Sequence, residues 1–94
     1  MRTIKRTATF KKDFKRVSAN PHHADLRSLL KSVLLLMVED NPLPDSCRDH
    51  ALVGNWKGYR ECHLKPDLLL IYKTAEPGIL RLARLGSHSE LFSR

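Results

Sequence analysis

Residues 26–37 set Leu26, Leu29, Leu30, Val33 and Met37 at helical spacing, and prolines follow at 42 and 44. No other stretch restricts the fold as much. Apolar side chains recurring every three or four residues form a stripe that a second layer must cover. Leu34, Leu35 and Leu36 widen the stripe, so this helix reads as mostly buried and as half of a core. Asn20-Pro21 offers its start, a capping side chain followed by proline where a backbone donor is dispensable. Asn41-Pro42-Leu43-Pro44 ends it, because proline removes a donor and pushes the residue before it out of the helical region.

The flanking segments supply the covering layer. Residues 2–9 place Ile4 among threonines and read as a short strand. Phe10, Phe14 and Val17 fall at i, i+4 and i+7, one stripe of a first helix whose remaining surface is basic. From about residue 50 the period changes. Trp56 to Leu64 mixes aromatic and polar residues, Leu68 to Tyr72 is an apolar run of strand length, and Ile79 to Leu85 alternates with Leu80, Leu82 and Leu85 inward. Lys65-Pro66-Asp67 and Thr74 to Gly78 are turn-like connectors, so these strands predict an antiparallel meander. The expected class is α+β: an N-terminal strand and two helices packed on an antiparallel sheet, one domain over residues 1–94. Alternation places Arg60 and Cys62 on one face of their strand and Glu61 and His63 on the other.

Charge narrows the partner. Lys and Arg number 17 against 10 acids, a net charge of +7. Such a surface attracts polyanions, with nucleic acid ahead of a membrane surface. A chain of 94 residues leaves little room for an enclosed pocket, so a site here is expected to be a shallow groove completed by a large partner. The start carries no apolar run of signal-peptide length, and the longest one, Val33 to Val38, is too short to cross a bilayer. Cys47 and Cys62 are read as reduced thiols, and the protein as cytoplasmic.

Five histidines occur. His22 and His23 read as surface residues, whereas His50, His63 and His88 sit at structural joints, and Asp67 lies just past the Lys65-Pro66 turn. Adjacent strand ends in a meander make His63 and Asp67 neighbours. Cutting RNA without a metal needs a base for the 2′-hydroxyl, an acid for the leaving oxygen, and cations for the phosphoryl charge. Histidines supply the first two near neutral pH. Arg60, Arg81 and Arg84 supply the third, Arg84 best placed, four residues before His88. On this reading His88 is expected as the acid, Asp67 or His50 as the base, and His63 as a group that orients or stabilises. The rival is a metal site on His50, His63, Asp67 and His88, but no compact ligand spacing supports one. Trp56 and Tyr59 are open to two readings, base stacking or core packing.

The run Asp49 to Arg60, with Asp49-His50, Leu52-Val53-Gly54 and Trp56-Lys57-Gly58-Tyr59-Arg60, resembles the YafQ-type toxins of the RelE superfamily. The match continues through Cys62 to Asp67, Leu70 to Lys73, Arg81, Arg84, Gly86, His88, Leu91 and Phe92. The resemblance implies a microbial ribonuclease-like α+β fold and an endoribonuclease that cuts messenger RNA in the ribosomal A site without metal or cofactor. It assigns catalysis to His50, His63, Asp67 and His88, the substrate base to Phe92, and the phosphate to Arg84. Lys57 and Arg60, in the same motif, join the substrate-binding cations. Implied partners are the ribosome with its mRNA and rRNA, and an antitoxin of ribbon-helix-helix type, similar to DinJ. Ser87 and Ser89 around His88 depart from the pattern. The alternative is a ParE-like toxin that inhibits DNA gyrase by binding, a branch without this histidine–aspartate set.

Overall fold

The computed structural model of the chain describes residues 1–92; the last two residues of the expected 1–94 domain lie outside them. Helices and sheet follow the order β1 (Thr3–Arg6), α1 (Ala8–Ser18), α2 (Leu26–Val38), β2 (His50–Ala51), β3 (Arg60–Lys65), β4 (Leu68–Lys73), β5 (Ile79–Gly86) and α3 (His88–Phe92). The strands form one sheet in the order β1-β5-β4-β3-β2. The α+β reading holds. The sheet is mixed rather than wholly antiparallel: β2 to β5 pair antiparallel, but β1 runs parallel to β5. A single residue, Thr7, explains the direction. It caps α1 by accepting from Phe10 N (3.0 Å), while its own N–H and hydroxyl bond the carbonyls of Leu82 and Ala83. The chain thus leaves β1 where α1 can lie back against β5.

The helices α1 and α2 cover one face, where Phe10, Val17, Leu30 and Val33 meet Leu70 and Leu82. The opposite face is covered only by α3 and by the half-buried Leu52, Trp56 and Tyr59, over Leu69, Ile71 and Ala83. β4 is therefore buried on both faces, which is why its sequence is an unbroken apolar run. Core packing is the fate of Trp56 and Tyr59, whose rings meet edge to face at 5.2 Å. Asn20 does cap a turn, accepting from His22 N at 3.0 Å, yet only a 3-10 turn over Pro21–His23 follows and α2 begins at Leu26. Lys65 is the reason: its Nζ takes the His22 carbonyl (2.8 Å) and pairs with Asp25 (2.7 Å), drawing that segment out of the helix.

β1 ends at Arg6, opposite Leu82, so β5 runs on to Gly86 with an open edge. α1 closes it with side chains. Asp13 Oδ2 accepts from Leu85 N at 3.0 Å, and Arg16 donates to the Leu85 carbonyl at 3.0 Å. Asp13 is 2% exposed. It also takes Arg84 through Nε (2.7 Å) and Nη2 (3.2 Å), and Arg16 through Nη1 (2.8 Å). Burial alone would raise this carboxyl, but the hydrogen bonds from Arg84, Leu85 N–H and Arg16 outweigh it and hold Asp13 below its ordinary value. Replacing Asp13 with Ala orphans a backbone donor and strands two guanidinium groups, a loss of about 2–4 kcal/mol. A carboxyl lowered in the folded state stabilises above its unfolded value, and that contribution disappears as pH falls through the folded one. Urea unfolding at pH 6 and pH 3 should therefore show the gap between wild type and Asp13→Ala narrowing in acid. A gap that stays constant would place the stabilisation elsewhere.

Candidate active site

The sheet face that lacks α1 and α2 carries a cluster of imidazoles and carboxylates. β2 holds His50 directly opposite Glu61 of β3. His50 Nδ1 lies 2.7 Å from the Arg48 carbonyl oxygen, and Nε2 lies 2.9 Å from Glu61 Oε2. A carbonyl only accepts, so Nδ1 donates to it. The contact with Glu61 then needs a second proton, carried on either the imidazole or the carboxyl. Glu61 is 4% exposed, and its other oxygen, Oε1, has no hydrogen-bond partner among the described residues. His88 Nε2 lies 3.6 Å from that oxygen.

His63 stands on the same face, next to a bulge at Leu64 that shifts the β3–β4 register. Its Nδ1 lies 3.3 Å from the Pro66 carbonyl. Nδ1 therefore carries the hydrogen, and Nε2 keeps its lone pair. Pro66 and Asp67 alone connect β3 to β4, which sets Asp67 beside the end of His63's strand. Asp67 Oδ1 accepts from the His88 backbone N–H at 3.0 Å and faces His88 Nδ1 at 3.2 Å. The backbone hydrogen bond first, then the imidazole, hold the Asp67 carboxyl below its ordinary range. The rings of His63 and His88 are 5.7 Å apart, and Phe92 lies one turn further along α3, its ring 6.0 Å from His88.

His88 opens α3 because Ser87-His88-Ser89-Glu90 is a capping box. Ser87 N donates to Glu90 Oε1 (2.9 Å), and Glu90 N donates to Ser87 Oγ (3.2 Å). Glu90 also pairs with Arg16 Nε at 3.0 Å. At Gly86, just before, a Cβ would come within 2.9 Å of the ends of the Arg16 and Glu90 side chains and would push that pair aside. The serines around His88 therefore build the short helix that aims it.

His50, His63, Asp67 and His88 are thus brought together, with Phe92 at the rim. Glu61 belongs with them and was not singled out from sequence, although alternation had put it on the face of His63. Arg84 is tied by Nε and Nη2 to Asp13, leaving Nη1 as its remaining donor edge. Arg60 points to the other face, across from Tyr72, and pairs with Asp49 at 3.3 Å. The strand alternation that places Glu61 and His63 together is what separates Arg60 from them. Lys57 is exposed at the end of the 3-10 turn Gly54–Trp56. Glu61, His63 and His88 each bring one donor atom into a set lying within 4.8 Å of one another, a spacing that suits a borderline cation such as zinc or copper.

An exposed histidine–carboxylate cluster on an α+β domain of charge +7 defines the class: a small basic protein built to act on a polyanion at an open face. Residues 2–93 match the family described as "Bacterial toxin of type II toxin-antitoxin system, YafQ", and the chain belongs to that family. It is 41% identical over 91 residues to the mRNA interferase toxin YafQ of Escherichia coli K12, covering 97% of this chain and 96% of that protein. A metal-bound toxin from Helicobacter pylori superposes with a TM-score of 0.86 at 46% identity, covering 98% of this chain and 100% of that one. YafQ in the E. coli DinJ-YafQ complex superposes with a TM-score of 0.83 at 39% identity, over 98% and 99% of the two chains.

Removing the Ser87 hydroxyl costs about 0.5–2 kcal/mol at a helix start and should loosen the His88–Asp67 contact without unfolding the sheet. In Ser87→Ala, amide exchange should quicken at His88 to Leu91 while β4 keeps its wild-type protection. Equal protection at both places would show that the box does not hold the histidine.

Proposed function

We propose that this chain is a ribosome-dependent endoribonuclease that cuts messenger RNA in the A site, leaving a 2′,3′-cyclic phosphate and a 5′-hydroxyl. The observation that carries the reading is the convergence of His63, His88, Asp67 and Glu61 on the open sheet face. His63 spends Nδ1 on a carbonyl and, unlike His50, keeps Nε2 clear of a carboxylate hydrogen bond, so it takes the 2′-hydroxyl proton. His88, held between two carboxylates, delivers a proton to the leaving oxygen. This moves the base from Asp67 or His50 to His63. Asp67, held low, orients His88 and is too weak a base to serve itself. His50 is engaged at both ring nitrogens and braces Glu61. Phe92 stacks on a base. Arg84, through its free Nη1, and Lys57 meet the phosphates, while Arg60 acts on the far side as the partner of Asp49.

The reaction runs without a metal. Glu61, His63 and His88 would hold a zinc or copper ion, whose positive charge would lie beside the phosphate. Such an ion takes the His63 lone pair that the base needs, so it opposes this chemistry. The ribosome supplies the second wall of the groove and most of the substrate positioning. A cognate antitoxin of ribbon-helix-helix type, comparable to DinJ in the E. coli complex, holds the toxin inactive in the cytoplasm. Gyrase inhibition by binding gives the histidine cluster no task and ranks below this reading.

Purified ribosomes programmed with a defined message supply the test. Wild type should cut in phase with codons, and His88→Ala should cut roughly 10²–10⁴-fold more slowly. Chelator should leave the wild-type rate unchanged, whereas added copper should lower it. Intact message with wild type, or equal rates with His88→Ala, would remove the proposal.

A further inference from the structure

A cavity of about 450 Å³ lies on the other side of His63 from the cluster. Its floor is apolar, formed by Leu29 and Val33 of α2 with Cys47 and Leu64. Ser46 and Arg48 form one rim, on the 3-10 turn Asp45–Cys47 and the residue after it. The opposite wall is β3 from His63 onward, and this is where the sheet edge is open. β2 pairs only with Arg60 and Glu61, so it does not reach that part of β3.

Three further observations indicate what the cavity takes. First, its size falls within the roughly 300–1,000 Å³ of small-molecule sites, and an apolar floor with few polar rim groups suits a planar heterocycle. Second, Arg48 forms no ion pair with any described acid, whereas Lys65 on the facing rim is taken by Asp25. Arg48 also adopts the left-handed conformation (φ 47°), and its carbonyl accepts from His50, so its backbone is fixed by the same cluster. Third, His63 is a shared wall. A chain whose scissile phosphate lies at His63 and His88 has a neighbouring nucleotide within reach of this cavity.

We infer that the cavity lined by Leu29, Val33, Ser46, Arg48 and His63 is a second nucleotide subsite, taking the base next to the cleaved bond over its apolar floor and the adjoining phosphate on Arg48. The inference rests on the endoribonuclease reading and extends it to base preference. Ser46, exposed on the rim, would read the base edge through its hydroxyl. The open β3 edge offers backbone groups for the same purpose.

Two measurements test it, and they fail separately. Nucleoside 5′-monophosphates titrated into the folded wild-type protein should shift the methyl signals of Leu29, Val33 and Leu64. Ser46→Trp, which fills the cavity from an exposed position, should abolish those shifts at an unchanged melting temperature. No methyl shift at millimolar nucleotide would overturn the subsite, whatever the enzyme does on ribosomes. On programmed ribosomes, Ser46→Trp should raise KM about tenfold and flatten the preference among bases flanking the cut, with kcat as in wild type. Arg48→Gln should reduce the salt dependence of binding by roughly one unit of slope. A wild-type protein that cuts no message would defeat the endoribonuclease reading, while the nucleotide titration would still decide the cavity. A Ser46→Trp protein with wild-type KM and cutting pattern that no longer binds its antitoxin would assign the cavity to a protein partner and defeat the inference.

Discussion

An open strand edge closed by one buried carboxylate governs this molecule. β1 stops opposite Leu82, and β5 continues for four residues with no strand on that edge, β4 pairing only its other side. Unpaired backbone groups at that depth would be costly. Asp13 and Arg16 answer them from α1 and in doing so fix the height at which α1 lies on the sheet. The end of β5 is thereby held in place, and His88 follows Gly86 by two residues. Arg16 reaches further, to Glu90, whose capping box starts α3. The position of the imidazole in the cluster is thus linked through three residues to an edge-satisfaction problem on the other side of the sheet.

The same arrangement explains why the reactive face is exposed. Both long helices go to one side, since Thr7 turns the chain directly into α1 and α2 packs next to it. The second face has only a five-residue helix and a loop to cover it. Leu69, Ile71 and Ala83 are shielded by Leu91, Trp56 and Tyr59, and the remainder of the face holds polar side chains. A domain of this size cannot enclose a substrate, and its reactive groups therefore converge on a shelf. On the proposed reading, such a shelf gains its second wall from the ribosome it binds.

Much of this is legible in the residues. The leucine stripe, the proline pair and the alternating strands specify the layers, and alternation alone puts Glu61 and His63 on one face. What local pattern leaves open is long-range. The parallel β1–β5 pair depends on Thr7 bonding a strand 75 residues later, and no window contains both. Arg84 looks like a free phosphate ligand until Asp13, the only acid in the first 20 residues, is found beneath it. α3 was within reach of the sequence. Ser87-His88-Ser89-Glu90 is a capping box as written, but five residues are too few to show a helical period. Asn20-Pro21 misleads in the opposite direction, because the cap is formed and Lys65 then draws the following turn out of the helix.

Pairing also decides where the charge acts. Six of the described acids, Asp13, Asp25, Asp40, Asp49, Glu76 and Glu90, are held by Lys or Arg. Those pairs use cations as structural parts: Arg2 on the α2 end, Arg16 and Arg84 on the β5 edge, Lys65 on the turn before α2. The net surplus is therefore carried by groups without such duties. Near the cluster these are Lys57 and Arg48; on the helical side they include Lys11, Lys12 and Lys15 of α1. Exposed cations thus lie on both sides of the protein, while the histidine face itself retains Glu61 and Asp67. Two carboxylates inside the proposed RNA site repel phosphate in general. Their presence is explained by what lies beside them: Asp67 bonds the backbone N–H and faces the ring of His88, and Glu61 lies 3.6 Å from its other nitrogen, so on the proposed chemistry the pair orients that imidazole. On that reading the cluster gives up binding strength for orientation, and cations outside it supply the strength.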